Sequence, residues 1–305
     1  MKISIIGAGN VGAMLAERIL AKNLADVVLV DIVADLAKAK AYDLMDAAPI
    51  MGYKNRIRGT EDYKETEGSD IIVITAGLPR RPVMSRDDLI EKNKKIVGHI
   101  LENTAGFSAN AIFVIVTNPL DLLTWFAHKR TKCGRKKIIG MAGNLDTARF
   151  KTLLSEELSV PYDLIETFVL GSHGDTMVPL VSRTTVDGKP LTGVLDEKHI
   201  KEIVERTKKR GGEIVSLLKS GSAYFSPSAA CYEILEAIIN DMRKVIPSSC
   251  VLEGEYGISD CALGVPAQIG AGGILRILEW ELPKDELDSL KNSAKAVKDM
   301  LKKCN

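Results

Sequence analysis

Short runs of β-branched and aliphatic residues recur along the first half of this chain, and each is followed by a longer stretch with helical spacing. The runs are Ile3–Ile6, Val27–Val30, Ile71–Thr75, Ile112–Val116 and Ile138–Met141. Between them lie Val11–Lys22, Asp35–Met45, Asp87–Thr104 and Leu120–Arg130. Strands that alternate with helices predict an α/β fold built from βαβ units around a parallel sheet. The runs lack polar alternation, as expected of strands covered by helices on both faces.

The pattern changes near residue 143. Leu145–Leu158 reads as a helix and Thr167–Leu170 as a strand. Met177–Thr185 followed by Val186-Asp187-Gly188-Lys189 reads as antiparallel hairpin material, with Asp-Gly as the turn. Helices are expected over Glu197–Lys219 and Ser228–Lys244, and strands over Val251–Leu252 and Ala262–Ile269. Leu287, Leu290, Ala294, Val297 and Leu301, with lysines between them, predict a last helix that buries one face. The expected organisation is two units, 1–142 and 143–305, the second of α+β type.

The first strand runs directly into Gly7-Ala8-Gly9-Asn10-Val11-Gly12, which opens the first helix. A lone GxGxxG pattern is weak, but between a strand and a helix it has physical content. The first glycine permits a tight turn, the second lets backbone approach a pyrophosphate, and the third lets helix and strand pack closely. The helix N-terminus then offers free N–H groups to the phosphates. Asp31 ends the second strand. A carboxylate there accepts ribose hydroxyls and repels a 2′-phosphate, so NAD is favoured over NADP. The bland alternative is a glycine-rich turn followed by an ordinary strand-end Asp. Val116-Thr117-Asn118 ends a later strand, where ligands of open α/β sheets collect. Asn118 precedes Pro119, which restricts it to extended backbone. Its side chain either bonds a reacting oxygen or caps the next helix.

Three polar residues carry the chemistry. Asp146 and Arg149 are three apart on a predicted helix and share a face. Arg149 is suited to bind a carboxylate through two parallel N–H bonds. His173, in Gly171-Ser172-His173-Gly174-Asp175, sits on a tight path that suggests an exposed ring. A carboxylate such as Asp146 can orient an imidazole that moves a proton to or from a carbonyl oxygen. Taken singly, the same residues read as a solvated intrahelical ion pair and a loop histidine. Leu78-Pro79-Arg80-Arg81-Pro82-Val83-Met84-Ser85-Arg86 has two prolines and three arginines, as a surface loop that folds over an anion would. The plain alternative is a solvated basic loop with Ser85 capping the helix behind it.

Other function classes fit poorly. Lys+Arg number 41 and Asp+Glu 40, so the basic excess of a nucleic-acid or membrane-surface binder is missing. Five cysteines lie at 133, 231, 250, 261 and 304 without a CxxC pair. That spacing argues against a disulfide framework or a metal site, and a reducing, cytoplasmic setting is expected. Neither a signal-peptide core nor a run of ~20 apolar residues is visible.

In this order and at these separations, the glycine turn, Asp31, the Arg80–Arg86 loop, Val116–Pro119, Leu145–Arg149 and Gly171–Asp175 resemble the lactate/malate dehydrogenase family over essentially the whole chain. The likeness is strongest to its lactate-dehydrogenase-like malate enzymes. The resemblance implies an N-terminal Rossmann NAD-binding domain (1–142) and a C-terminal catalytic domain (143–305). It implies that His173 exchanges the proton with the substrate oxygen and that Asp146 holds its tautomer. Arg149 would grip the C1 carboxylate. Arg86 would close with the loop and polarise the carbonyl, which Asn118 would also contact. Gly7, Ala8, Gly9, Asn10, Val11, Gly12, Asp31, Asn93, Val116, Thr117 and Asn118 would hold NAD.

Arg80 matches the position that separates malate from lactate enzymes, the latter resembling one another in having Gln. A distal carboxylate buried without a cation would be costly, so a dicarboxylate calls for this second Arg. Val83 departs from a glycine common in the loop, which would stiffen its hinge. Ala223 is expected beside the substrate, although core packing explains it equally. Malate/oxaloacetate is thus the expected substrate pair, a lactate or other 2-hydroxyacid enzyme the alternative, and a non-catalytic dinucleotide sensor the distant one. The family further implies a homodimer or homotetramer.

Overall fold

The computed structural model describes residues 1–78 and 86–303. Arg80, Val83 and Ser85 lie outside the described residues, as does the side chain of Arg86.

The first half builds β1 (Lys2–Ile6), α1 (Asn10–Ala21), β2 (Asp26–Val30), α2 (Ala34–Met51), β3 (Ile57–Thr60), β4 (Ile71–Ile74), α3 (Arg86–Thr104), β5 (Ile112–Ile115), α4 (Leu120–Arg130) and β6 (Ile138–Gly140). These six strands are parallel and ordered β3-β2-β1-β4-β5-β6. The order reverses between β1 and β4, which opens a crevice at their carboxyl ends. Burial on both faces follows from the pleat. Ile71 and Val73 of β4 join a core with α1 and α2, while Ile72 and Ile74 join one with α3 and α4.

The second half begins with α5 (Gly143–Leu158) and the short strands β7 (Ile165–Glu166), β8 (Val169–Leu170), β9 (Val178–Pro179), β10 (Thr185–Val186) and β11 (Lys189–Pro190). It continues with α6 (Glu197–Leu218), α7 (Phe225–Ile239), β12 (Lys244–Glu253), β13 (Ser259–Gly270), β14 (Gly273–Ile277) and α8 (Lys284–Lys303). The expected Asp-Gly turn joins β10 to β11, with Asp187 and Gly188 both at positive φ. Phe150, Leu153 and Leu154 of α5 form a separate core with Ile165, Ile200 and Ile203.

Several elements differ from the sequence reading. Within the hairpin material of Met177–Thr185, a 3-10 turn at Val181–Arg183 separates β9 from β10. The helix expected to reach Lys244 stops at Ile239, and Lys244 starts β12. β12 and β13 are long antiparallel strands that join the first sheet, Ser249 pairing with Gly140 of β6. Among the described residues the result is one nine-stranded sheet that crosses the change of architecture at residue 143. No helix among the described residues is long and apolar enough to cross a membrane.

Candidate active site

The glycine turn is built by close backbone approach. Gly7 has φ +116°, a value that disfavours any residue with a Cβ. A Cβ on Gly12 would stand 1.9 Å from the Gly7 carbonyl oxygen, so α1 can start there only with glycine. Gly9 caps α1 and has no side chain to occupy the N–H groups of the first turn. A Cβ added there would meet nothing within 4 Å beyond its chain neighbours, so its outer side is open for a ligand. Ala8 is buried behind the turn. Its N–H donates to Asp31 Oδ2 at 2.7 Å, and its carbonyl accepts Lys40 Nζ at 2.6 Å. Asp31 Oδ1 accepts the Val33 N–H, so the carboxylate is fixed at the tip of β2. Lys40, which braces the turn from α2, was not foreseen, since one lysine in a helix carries no signal of its own.

Two cavities of about 510 and 500 Å³ meet at the carboxyl ends of the strands and share Gly9, Thr75, Gly77 and Leu78. The second runs past Gly7, Asp31 and Ile32 toward Tyr63 and His99. The first is lined by Asn10, Val11, Gly12, Val116, Thr117 and Asn118 on one side. Arg149, His173, Gly211, Val215 and Ala223 face them. Open N–H groups, a fixed carboxylate and this elongated space fit a dinucleotide with its ribose at Asp31.

The N-cap of α4 is Pro119, so Asn118 does not cap the helix and instead lines the cavity. Asn93 takes a different place from the expected one. It is buried, its Oδ1 accepts the Leu78 N–H, and its Nδ2 donates to the carbonyls of Leu78 and Asn118. With its amide occupied by main chain, it shapes the cavity floor by fixing the strand ends that line it.

The acid–base group assembles from two elements. His173 lies three residues past the end of β8, and a bridge between Gly171 and Gly264 of β13 fixes the loop there. The Val169 N–H is taken by Thr147 Oγ1 of α5, so β8 lies against the helix that carries Asp146. His173 Nδ1 then sits 2.8 Å from Asp146 Oδ2, and Arg149 Nη1 donates to Asp146 Oδ1 at 3.3 Å. Asp146 is 2% exposed, Arg149 11% and His173 19%. The expected exposed ring is therefore mostly enclosed, and the Asp146–Arg149 pair is real but faces inward.

Burial opposes the imidazolium, yet the Asp146 charge and hydrogen bond outweigh it and hold His173 above the usual histidine range. Burial also works against the Arg149 guanidinium, which Asp146 partly offsets. Its Nε is buried without a partner among the described residues. The backbone of α6 passes close by, an added Cβ on Gly211 falling 3.5 Å from Nη1. With Nδ1 committed to Asp146, the proton that His173 can exchange is the one on Nε2. A guanidinium able to clamp an anion thus stands beside an imidazole able to carry a proton, at the wall of the elongated cavity.

Two further groups escaped the sequence reading. The His173 N–H donates to Asp121 Oδ2 at 2.8 Å. The Ser172 N–H donates to Ser293 Oγ of α8, also at 2.8 Å.

Comparison with known proteins places the chain in a family. Residues 1–140 match the lactate/malate dehydrogenase NAD-binding domain, and 143–305 match the lactate/malate dehydrogenase alpha/beta C-terminal domain. The malate dehydrogenase of Chloroherpeton thalassium is 47% identical, over 100% of this chain and 99% of its own. The solved malate dehydrogenase of Salinibacter ruber superposes with a TM-score of 0.94 at 43% identity, covering 99% of this chain and 97% of that one. A Cryptosporidium parvum lactate dehydrogenase, solved with lactic acid and nicotinamide adenine dinucleotide, gives 0.96 at 35% identity over the same shares. The chain belongs to the lactate/malate dehydrogenase family.

Proposed function

We propose that this site catalyses reversible exchange of hydride between (S)-malate/oxaloacetate and NAD. The observation that carries the reading is the Asp146–His173–Arg149 group at the wall of the dinucleotide cavity. When bound, NAD supplies or takes up the hydride. Gly9 and the first turn of α1 hold the pyrophosphate, and Asp31 holds the ribose. In the direction of reduction, His173 gives its Nε2 proton to the ketone oxygen, and Asp146 stabilises the imidazolium that precedes the transfer. Arg149 grips the C1 carboxylate and fixes the carbonyl carbon against the cavity wall. Asn118 contacts the reacting oxygen. Arg86 polarises the same oxygen.

Substrate choice falls to Arg80. A malate and a lactate dehydrogenase superpose on this chain almost equally well, so the fold does not discriminate between them. The second cation for the C4 carboxylate does. The full set of proton carrier and anion clamps is more than a dinucleotide sensor requires. The two units implied are 1–142 for NAD and 143–305 for the substrate side.

Large apolar side chains stand exposed on α2 (Tyr42, Ile50, Met51) and around α6 and α7 (Leu217, Phe225). They support a homodimer or homotetramer, and the reducing setting suggested by unpaired cysteines supports a cytoplasmic location. The deciding experiment follows NADH absorbance with oxaloacetate or pyruvate, and repeats both with NADPH. Oxaloacetate with NADH should be fastest by kcat/KM. No oxaloacetate-dependent loss of NADH by folded protein that binds NADH would overturn the reading.

A further inference from the structure

Asp121 is the second residue of α4, only 4% exposed, and touches neither cavity. Its Oδ2 accepts the His173 N–H, and its Oδ1 accepts Ser249 Oγ–H at 2.6 Å. It therefore ties the proton carrier's main chain to α4 and to β12 at once. Asn118, which lines the cavity, lies three residues earlier, just before the Pro119 cap of the same helix.

One comparison isolates what the charge is for. The N–H of the preceding residue, Ser172, is held equally short by a neutral hydroxyl, Ser293 Oγ. A carboxylate is thus not needed to tether main chain in this loop, and burying one is costly. What a hydroxyl does not supply is a negative charge behind the imidazole. We propose that Asp121 is a positioning residue that holds the His173 loop and, with Asp146, forms a two-carboxylate field sustaining the proton affinity of His173. The inference rests on the reading of His173 as the proton carrier.

Burial, with a smaller push from the Asp146 charge, raises the Asp121 carboxyl to about 6 against the pull of the hydrogen bonds from Ser249 and His173, so it is largely ionised at neutral pH. The charged groups facing the pair act with known signs. Asp146 supports the imidazolium most, Asp121 adds to it, and Arg149 opposes it. Cys261 of β13 faces Asp121. Its thiol is pushed up to about 11 by burial and stays neutral, with Lys298 of α8 beyond it.

The test reads the histidine ring directly. The chain has four histidines, so isotope-labelled imidazole signals can be assigned with H173Q and followed by NMR across pH. In D121N the His173 midpoint should fall by about half a pH unit or more. The alkaline limb of kcat/KM for oxaloacetate reduction should move with it, while NADH binding by fluorescence stays put. S249A withdraws a hydrogen bond that keeps Asp121 ionised. It should shift the midpoint the same way by less, and it carries the test if D121N does not fold. An unmoved His173 midpoint overturns the proposal whatever happens to kcat. If the wild-type ring titrates but no oxaloacetate is reduced, the functional reading fails instead, and the ring titration still decides the role of Asp121.

Discussion

At His173 the pH response has a definite sign. Its proton affinity is raised, so the imidazolium persists to higher pH than in a free histidine. Reduction, which needs the cation, should fall as pH rises through that value, and oxidation should rise through it. In D146N both limbs should move to lower pH, because the main source of the raised affinity is gone; coincident profiles of kcat/KM would contradict this. Replacing the ring itself, as H173N, should cost about 10²–10⁴-fold in kcat while NADH still binds. Arg80→Gln should cost oxaloacetate about 3 kcal/mol, or about 10²-fold in kcat/KM, by leaving one carboxylate unpaired, and should gain some pyruvate activity. Equal kcat/KM for oxaloacetate before and after would sink the assignment. Most of these residues were legible because each lies in a motif with a mechanism. Asp121 was not. A first-turn Asp looks the same in sequence whether it faces water or is buried under a histidine loop, and its partners His173 and Ser249 are 52 and 128 residues away.

Among the elements, the α1 turn is the least tolerant of change. In G12A the new methyl carbon would meet the Gly7 carbonyl at 1.9 Å, so backbone must move where the pyrophosphate is proposed to bind. We expect a stability loss of ~1–3 kcal/mol by overpacking and at least tenfold weaker NADH binding; a titration matching wild type would remove the turn from the cofactor site. The parallel strands were readable because their apolar runs are continuous. β3 and β14 were missed, since IRGT and GILRI carry glycine or arginine in runs of four or five residues. The first half of β12 was hidden by Pro247 and two serines. Pro247 stands opposite Pro266 of β13, a pair from which the ladder needs no N–H. Ser248 and Ser249 are buried because their faces meet other elements, which periodicity in one segment does not reveal.

For the whole molecule, Asp121 sets activity against stability. Keeping ionised a carboxyl that titrates near 6 rather than 3.8 costs about 3 kcal/mol at neutral pH. The folded state binds this proton more tightly than the unfolded chain. Its contribution to stability is thus greatest below the ordinary value and declines as pH rises from about 4 to about 6. D121N should melt no lower than wild type at pH 8 even though its turnover is impaired. Its advantage should shrink as pH is lowered through that window, and a difference in Tm that is flat with pH would show that no buried charge is involved. The boundary near 143 was legible as a change of pattern, but the shared sheet was not. Strand pairing between Gly140 and Ser249 spans more than a hundred residues and leaves no local trace. That junction has a further consequence. Ser249 holds the sheet together through its main chain and holds Asp121 through its hydroxyl. Loosening of the sheet there would free the Asp121 tether on the His173 loop. On gentle heating, loss of turnover should therefore keep pace with amide exchange around 140 and 249, while the strands deep in each half remain protected.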